Sequence, residues 1–284
     1  MENNIFQYDF IIKGLLGAIF ASITAGLAGT YVVSKRMVFL SGGITHASFG
    51  GIGIGYFLGI NPVVGAAVFG ILSALGVEYL SVKQKIREDS AIGILWAFGM
   101  AIGIIFIYLT PGYTPNLMSY LFGSILTVSH ADIIALGTMS VILILYFGIF
   151  YRTILYISFD EVFARTYSSY VDLFRYVTTS LIALTIVLNI RMAGVVLVIS
   201  LLTIPPNIAM LFTRVYFKIV IWSILAGFVG TATGYAISYY AGIPVGATII
   251  FTLVIIWVLV KSTVQLIELT SKYYNFRHLR HSKL

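Results

Sequence analysis

The chain of 284 residues is 60% hydrophobic and only 10% charged, with a mean hydropathy of +1.01, a balance that excludes an ordinary soluble domain. A formal net charge of +7 raises nucleic acid as a partner, but in so apolar a chain a basic excess is first tested as a membrane-orientation signal. Cysteine is absent, which removes disulfides, thiolate metal sites and cysteine nucleophiles together.

Apolar runs bounded by charge, proline or glycine cover 14–34, 37–59, 62–82, 90–110, 130–150, 171–190, 193–211, 218–240 and 245–266. Each approaches the roughly 20 residues that cross hydrocarbon as a helix, and none alternates polar with apolar as a barrel strand would. The expectation is an all-α polytopic membrane helix bundle of about eight to nine helices, one of them broken, filling 1–284 as a single transmembrane domain. The first run is read as a retained span, because Glu2 and Asp9 precede it where a signal peptide would be positive. With the N-terminus outside, Lys35, Arg36, Lys83, Lys85, Arg87, Arg152, Arg165, Arg214, Lys218, Lys261 and the basic tail all fall on the cytoplasmic side. Lys13 and Arg191 fall outside, so the basic surplus sets orientation and nucleic acid drops out as a partner.

Three stretches depart from plain spans. Leu117–Leu126 is apolar but too short to cross and reads as a re-entrant or interfacial helix. Residues 151–170 carry Asp160, Glu161 and Arg165 with a partly amphipathic face, and read as lying along the cytoplasmic surface. Within 194–214, Pro205 and Pro206 cannot donate backbone hydrogen bonds, so a kink or restart is expected there. Glycines spaced four apart (Gly51, Gly55 and Gly59; Gly99 and Gly103; Gly230 and Gly234) suggest faces of close helix approach.

Chemistry-bearing motifs are few. The chain contains no H-E-x-x-H, no G-x-S-x-G and no G-x-x-x-x-G-K-[ST], so it is not expected to act as an enzyme or to hydrolyse ATP itself. His46 lies inside the second run, in Ser41-Gly42-Gly43-Ile44-Thr45-His46-Ala47-Ser48. An ionisable group at that depth is a functional candidate, and imidazole is a common ligand for transition metals, although an interhelical hydrogen bond would also account for it. His130 and Asp132, two residues apart, do not share a helix face and are read as capping or interfacial. Glu78 is expected to snorkel or to pair with a nearby lysine, and Glu88 and Asp89 to favour a helix start.

In order along the chain, Lys35-Arg36-Met37 with Ser41 to Ala47, Glu88 to Gly93, Tyr120 to Leu126, Ser158 to Ala164, Gly194 to Pro205 and Gly242 to Ile249 resemble the motifs of the zinc/manganese-type metal ABC transporter permease family. The resemblance spans essentially the whole length. It implies the membrane subunit of an ATP-driven importer of zinc, manganese or iron, working by alternating access. The partners implied are a second copy of the chain, cytoplasmic ATP-binding subunits and an extracytoplasmic metal-binding protein. No cofactor is bound permanently, and ATP acts only through the partner subunit. Pro205, Pro206, Asn207, Met210, Leu211 and Arg214 are carried over as the ATPase-coupling segment, and His46 as the metal residue. The family places an Asp four residues before that His, where this chain has Gly42. A hard ion such as Mn2+ thereby loses an oxygen ligand, which slightly favours zinc. The alternatives are a permease of cobalamin or siderophore type, and an ATP-independent secondary transporter, for which more intramembrane charges or inverted repeats would be expected.

Overall fold

The computed structural model describes residues 9–112 and 128–281, which form ten helices and no strand. In chain order these are α1 (Asp9–Ser34), α2 (Val38–Leu58), α3 (Pro62–Val82), α4 (Glu88–Leu109), α5 (His130–Ile149), α6 (Tyr151–Phe159), α7 (Glu161–Tyr167), α8 (Val171–Phe212), α9 (Tyr216–Ala241) and α10 (Val245–His281). The stretch expected as a re-entrant helix at 117–126 lies outside the described residues.

Local chemistry accounts for the boundaries. Between α2 and α3, Gly59 takes the left-handed conformation at φ 68°, Asn61 accepts a hydrogen bond from Val63 N at 3.0 Å, and Pro62 opens α3 at a position where its missing N–H costs nothing. Gly59 is thus a cap rather than a packing residue. Ser129 and Asp132 form a reciprocal capping box at the start of α5, so the capping reading of Asp132 holds. Gly242, at φ 67°, ends α9 ahead of Pro244.

Among the described residues seven helices are long and apolar enough to cross a membrane: α1, α3, α4, α5, α8, α9 and the first part of α10. Two observations extend that pattern to nine passes. The first concerns α2, which is too rich in Gly and Ser to score as apolar, yet has 14 of its 21 residues buried. It crosses between α3 and α4, and its glycines let the backbones touch. A Cβ on Gly51 would strike the Gly65 carbonyl, one on Gly53 the Gly103 carbonyl, and one on Gly50 would lie 2.8 Å from the Gly99 carbonyl.

The second concerns α8. A straight helix of 42 residues would run about 63 Å, twice the thickness of a hydrocarbon core. The chain avoids this at Gly194, whose φ of 77° and ψ of 163° belong to a region almost confined to glycine. On the first arm Arg175 meets Glu161 at 2.7 Å, Asn189 reaches Thr24 at 3.1 Å, and Met192 packs on Gly17. On the second arm Leu202 lies against Gly29, and Arg214 shares a cavity with Asp160. The two arms therefore run in opposite directions along α1. The reversal comes at Gly194, close to the boundary between the runs 171–190 and 193–211, whereas no restart occurs at Pro205 and Pro206: both prolines sit buried within a helix that continues to Phe212.

Directions alternate throughout. The ends of α1 and α3, the short helices α6 and α7, and the start of α8 gather at one end of the bundle, here the basic end. The start of α5 and the Gly194 bend lie at the other, where Arg191 pairs with Asp132 at 3.1 Å. The core runs between α1, α2 and both arms of α8, with Tyr31, Leu40, Ile44, Ile182, Ile186 and Leu201 almost wholly enclosed.

Candidate functional site

His46 is the one half-exposed residue in the middle of α2, between the buried runs Leu40–Thr45 and Ala47–Gly53. Its imidazole stacks on the indole of Trp96 from α4, with ring centroids 4.2 Å apart and planes 6° from parallel. No hydrogen bond reaches the imidazole among the described residues. The neighbouring hydroxyls turn back into their own helix: Ser41 donates to the Val38 carbonyl at 2.7 Å, Thr45 to the Ser41 carbonyl at 2.5 Å and Ser48 to the Ile44 carbonyl at 2.7 Å. Gly42, one turn before His46, differs from the other glycines of α2. A Cβ there would meet only the tip of Ile199, at 3.9 Å. The backbone approach at Gly42 is therefore loose, and the position has room for a Cβ although it is buried.

On either side of Ile199 the second arm of α8 turns Val196 and Asn207 outward, and it keeps Pro205, Pro206, Ile208 and Ala209 inward. Pro205 faces Gly227 of α9, and the Leu202 carbonyl, which Pro206 leaves without its usual helical donor, abuts Gly29 of α1. Asn207 donates back to the Thr203 carbonyl at 2.7 Å, Met210 and Leu211 are half-buried, and Arg214 is exposed. Of the sequence-derived coupling residues, Asn207 and Arg214 thus present an open face, while Pro205 and Pro206 shape the helix from within. Arg214 also borders a cavity of about 450 Å3 at the basic end, shared with Tyr151, Leu155, Phe159, Asp160 and Tyr216.

A charge network that lines a second, smaller cavity is not apparent from the sequence. Arg175, whose side chain is 6% exposed, reaches Glu78 of α3 at 2.9 Å and Glu161 of α7 at 2.7 Å. Glu161 also meets Lys35 at 3.4 Å and Arg165 at 3.1 Å, and Arg165 pairs with Asp172 at 2.8 Å. Beside its ion pair with Arg175, Glu78 accepts a hydrogen bond from Thr179 at 3.2 Å. Its partner is therefore an arginine from another pass, not a lysine. Burial alone would raise the Glu161 carboxyl, but Lys35, Arg175 and Arg165 reverse this and hold it below the usual carboxylate range. The only advance signal is general: buried charges in a membrane chain need partners, and Glu78 and Arg175 are both near the basic ends of their runs.

Among the described residues no group of three His, Asp, Glu or Cys side chains is placed to hold a metal ion. Among the described residues, eight passes around an enclosed glycine-rich ninth, with one open imidazole, define a multi-pass membrane protein of the transport-permease class. The chain belongs to the ABC 3 transport family, whose model matches residues 7–264. It is 40% identical to an uncharacterized membrane protein of Synechocystis, over 86% of this chain and 87% of the relative. It is 32% identical to the manganese transport system membrane protein MntC of Listeria monocytogenes, over 88% and 89% of the two chains. Among solved structures it is similar to PsaBC from Streptococcus pneumoniae, in complex with Fab, at a TM-score of 0.81 and 28% identity, covering 91% of this chain and 93% of that one.

Proposed function

We propose that the chain, acting throughout as one transmembrane unit, is the permease subunit of an ATP-driven importer of divalent metal ions. Family membership and the likeness to a manganese transport membrane protein support the class of cargo. The observation that carries the site is His46, an imidazole on the open side of an otherwise enclosed helix. A single chain supplies one such donor there, so the reading includes a second copy bringing its own His46 to the path. Two imidazoles without a carboxylate suit a borderline ion, which favours zinc over manganese.

In this reading the basic end faces the cytoplasm, as the positive-inside rule requires of Lys35, Arg36, Lys83, Lys85 and Arg87. Asn207, Met210, Leu211 and Arg214 then form the docking face for the ATP-binding subunits, backed by Pro205 and Pro206. The opposite end receives a metal-binding protein. The test is to purify the tagged chain from its native membrane, then measure uptake of radiolabelled zinc and manganese by the reconstituted complex with and without ATP. Co-purification of an ATPase and ATP-dependent uptake that fails with His46→Ala are expected. Uptake without ATP by the chain alone would replace the importer with a secondary transporter, and ATP-dependent uptake of a metal chelate instead of free ion would replace the cargo.

A further inference from the structure

We propose that Trp96 is the positioning residue of the His46 site, holding the imidazole face-on so that its ring edge, and not its face, meets the passing ion; this rests on the metal-pathway reading of His46. An imidazole ligand is normally fixed by a hydrogen bond from its second nitrogen to a carboxylate or carbonyl. His46 has no such partner among the described residues. Gly42 and Gly43 offer no side chain, and Ser41, Thr45 and Ser48 donate to carbonyls of their own helix. The recorded contact that sets the plane of the ring is the stack on Trp96, at 4.2 Å and 6°.

Backbone packing builds that stack in advance. Gly43 admits Ile92 on one side of it, and Gly99 admits the backbone of Ala47 on the other, where a Cβ would come within 2.6 Å. With α4 seated this closely on α2, the indole at 96 falls over the imidazole at 46. Trp96 is 38% exposed, so the pair borders the open side of the helix rather than filling the core. The stack covers one face of the imidazole and leaves the in-plane nitrogens uncovered. It also places an electron-rich ring beside an imidazole that becomes more positive when it binds a cation, an attraction that adds no ligand to the ion. A pathway benefits from that arrangement, since the ion is steadied without being trapped.

The test has two arms, both on the full-length chain. In the first, Trp222→Phe and Trp257→Phe leave Trp96 as the only one of three tryptophans. Its emission is expected to rise when His46→Leu removes the stacked ring, and to respond to added zinc only while His46 is present. In the second, uptake by the complex with Trp96→Leu is expected to show a KM for the ion raised roughly tenfold with little change in Vmax, as for loss of an orienting partner, while Trp96→Phe recovers most of the affinity. Emission indifferent to His46→Leu overturns the proposal. So does an unchanged KM for Trp96→Leu when His46→Ala abolishes uptake, and that result leaves the metal-pathway reading standing. Uptake that survives His46→Ala removes the site reading and this proposal with it.

Discussion

Nε of Arg175 lies 2.9 Å from Oε2 of Glu78, and both side chains are less than a tenth exposed although they belong to different passes of the chain. Removing one partner leaves a charge buried without its counter-ion. Glu78→Ala is therefore expected to destabilise the protein by about 3–5 kcal/mol, and Glu78→Asp by less. Thermal unfolding of the purified protein in detergent checks this, and an unchanged Tm for Glu78→Ala would show that Glu161 alone suffices for Arg175.

Glu161 adds a pH dependence whose sign is fixed. Its carboxyl is held below the usual range in the folded protein, so the unfolded chain takes up a proton first as pH falls. The stabilisation is fully present above the unfolded value and is lost as pH drops through the folded one. Melting temperatures measured from about pH 6 down to about pH 3 are expected to fall more steeply for wild type than for Glu161→Gln. Parallel curves would remove Glu161 from the account.

Gly194→Ala tests the fold-back of α8. The φ of 77° with ψ of 163° is strained for any L side chain, and the expected cost is about 1–3 kcal/mol, seen as a lower Tm and reduced yield. Pro205→Ala makes the contrast, since the helix already continues through that position. Equal tolerance of both changes would argue against a bend held at Gly194.

How much of this was legible in the sequence depended on the range of the forces involved. The nine runs were readable because span length and hydropathy are local properties, and the turn at Gly59, Asn61 and Pro62 because capping chemistry is written in adjacent residues. The restart expected at Pro205 and Pro206 does not occur because proline is a strong signal in isolation, whereas inside a bundle a neighbour can shelter the freed carbonyl, as Gly29 does at Leu202. The reversal itself was legible from Arg191 between the runs 171–190 and 193–211, although nothing singled out Gly194 among 27 glycines as its pivot. His46 stood out by type and depth. Trp96 did not, because its importance comes from α4 being drawn onto α2 by glycines on both helices.

Gly42→Asp asks whether the carboxylate suggested by family resemblance can be reinstated. Only the tip of Ile199 approaches the position, so the variant is expected to assemble normally and to shift uptake toward manganese relative to zinc. Gly51→Ala, whose new methyl would meet the Gly65 carbonyl, is expected to cost about 1–3 kcal/mol. A Gly42→Asp protein that fails to assemble would show the space to be filled in the working complex.

Orientation is open to chemical labelling, because the chain carries no native cysteine to react. Single cysteines at Ile60, 48% exposed, and Phe159, 64% exposed, lie at opposite ends of the bundle. An impermeant maleimide applied to intact cells is expected to modify Ile60→Cys and to spare Phe159→Cys. The reverse pattern would invert the topology.

The uneven fit of α2 against its neighbours has a mechanical consequence. Toward α3 and α4 it is keyed carbonyl to glycine at Gly51 and Gly65, Gly53 and Gly103, and Gly50 and Gly99, so these three helices behave as one stiff slab carrying His46 and Trp96 together. Toward the second arm of α8, at Gly42, the contact is slack and ends on a single methyl of Ile199. Shear between the slab and that arm meets less resistance at Gly42 than at the glycine contacts within the slab. A stroke applied at Arg214 would pass along the arm and slide it past the imidazole, changing what faces His46 while its seat on the indole stays still.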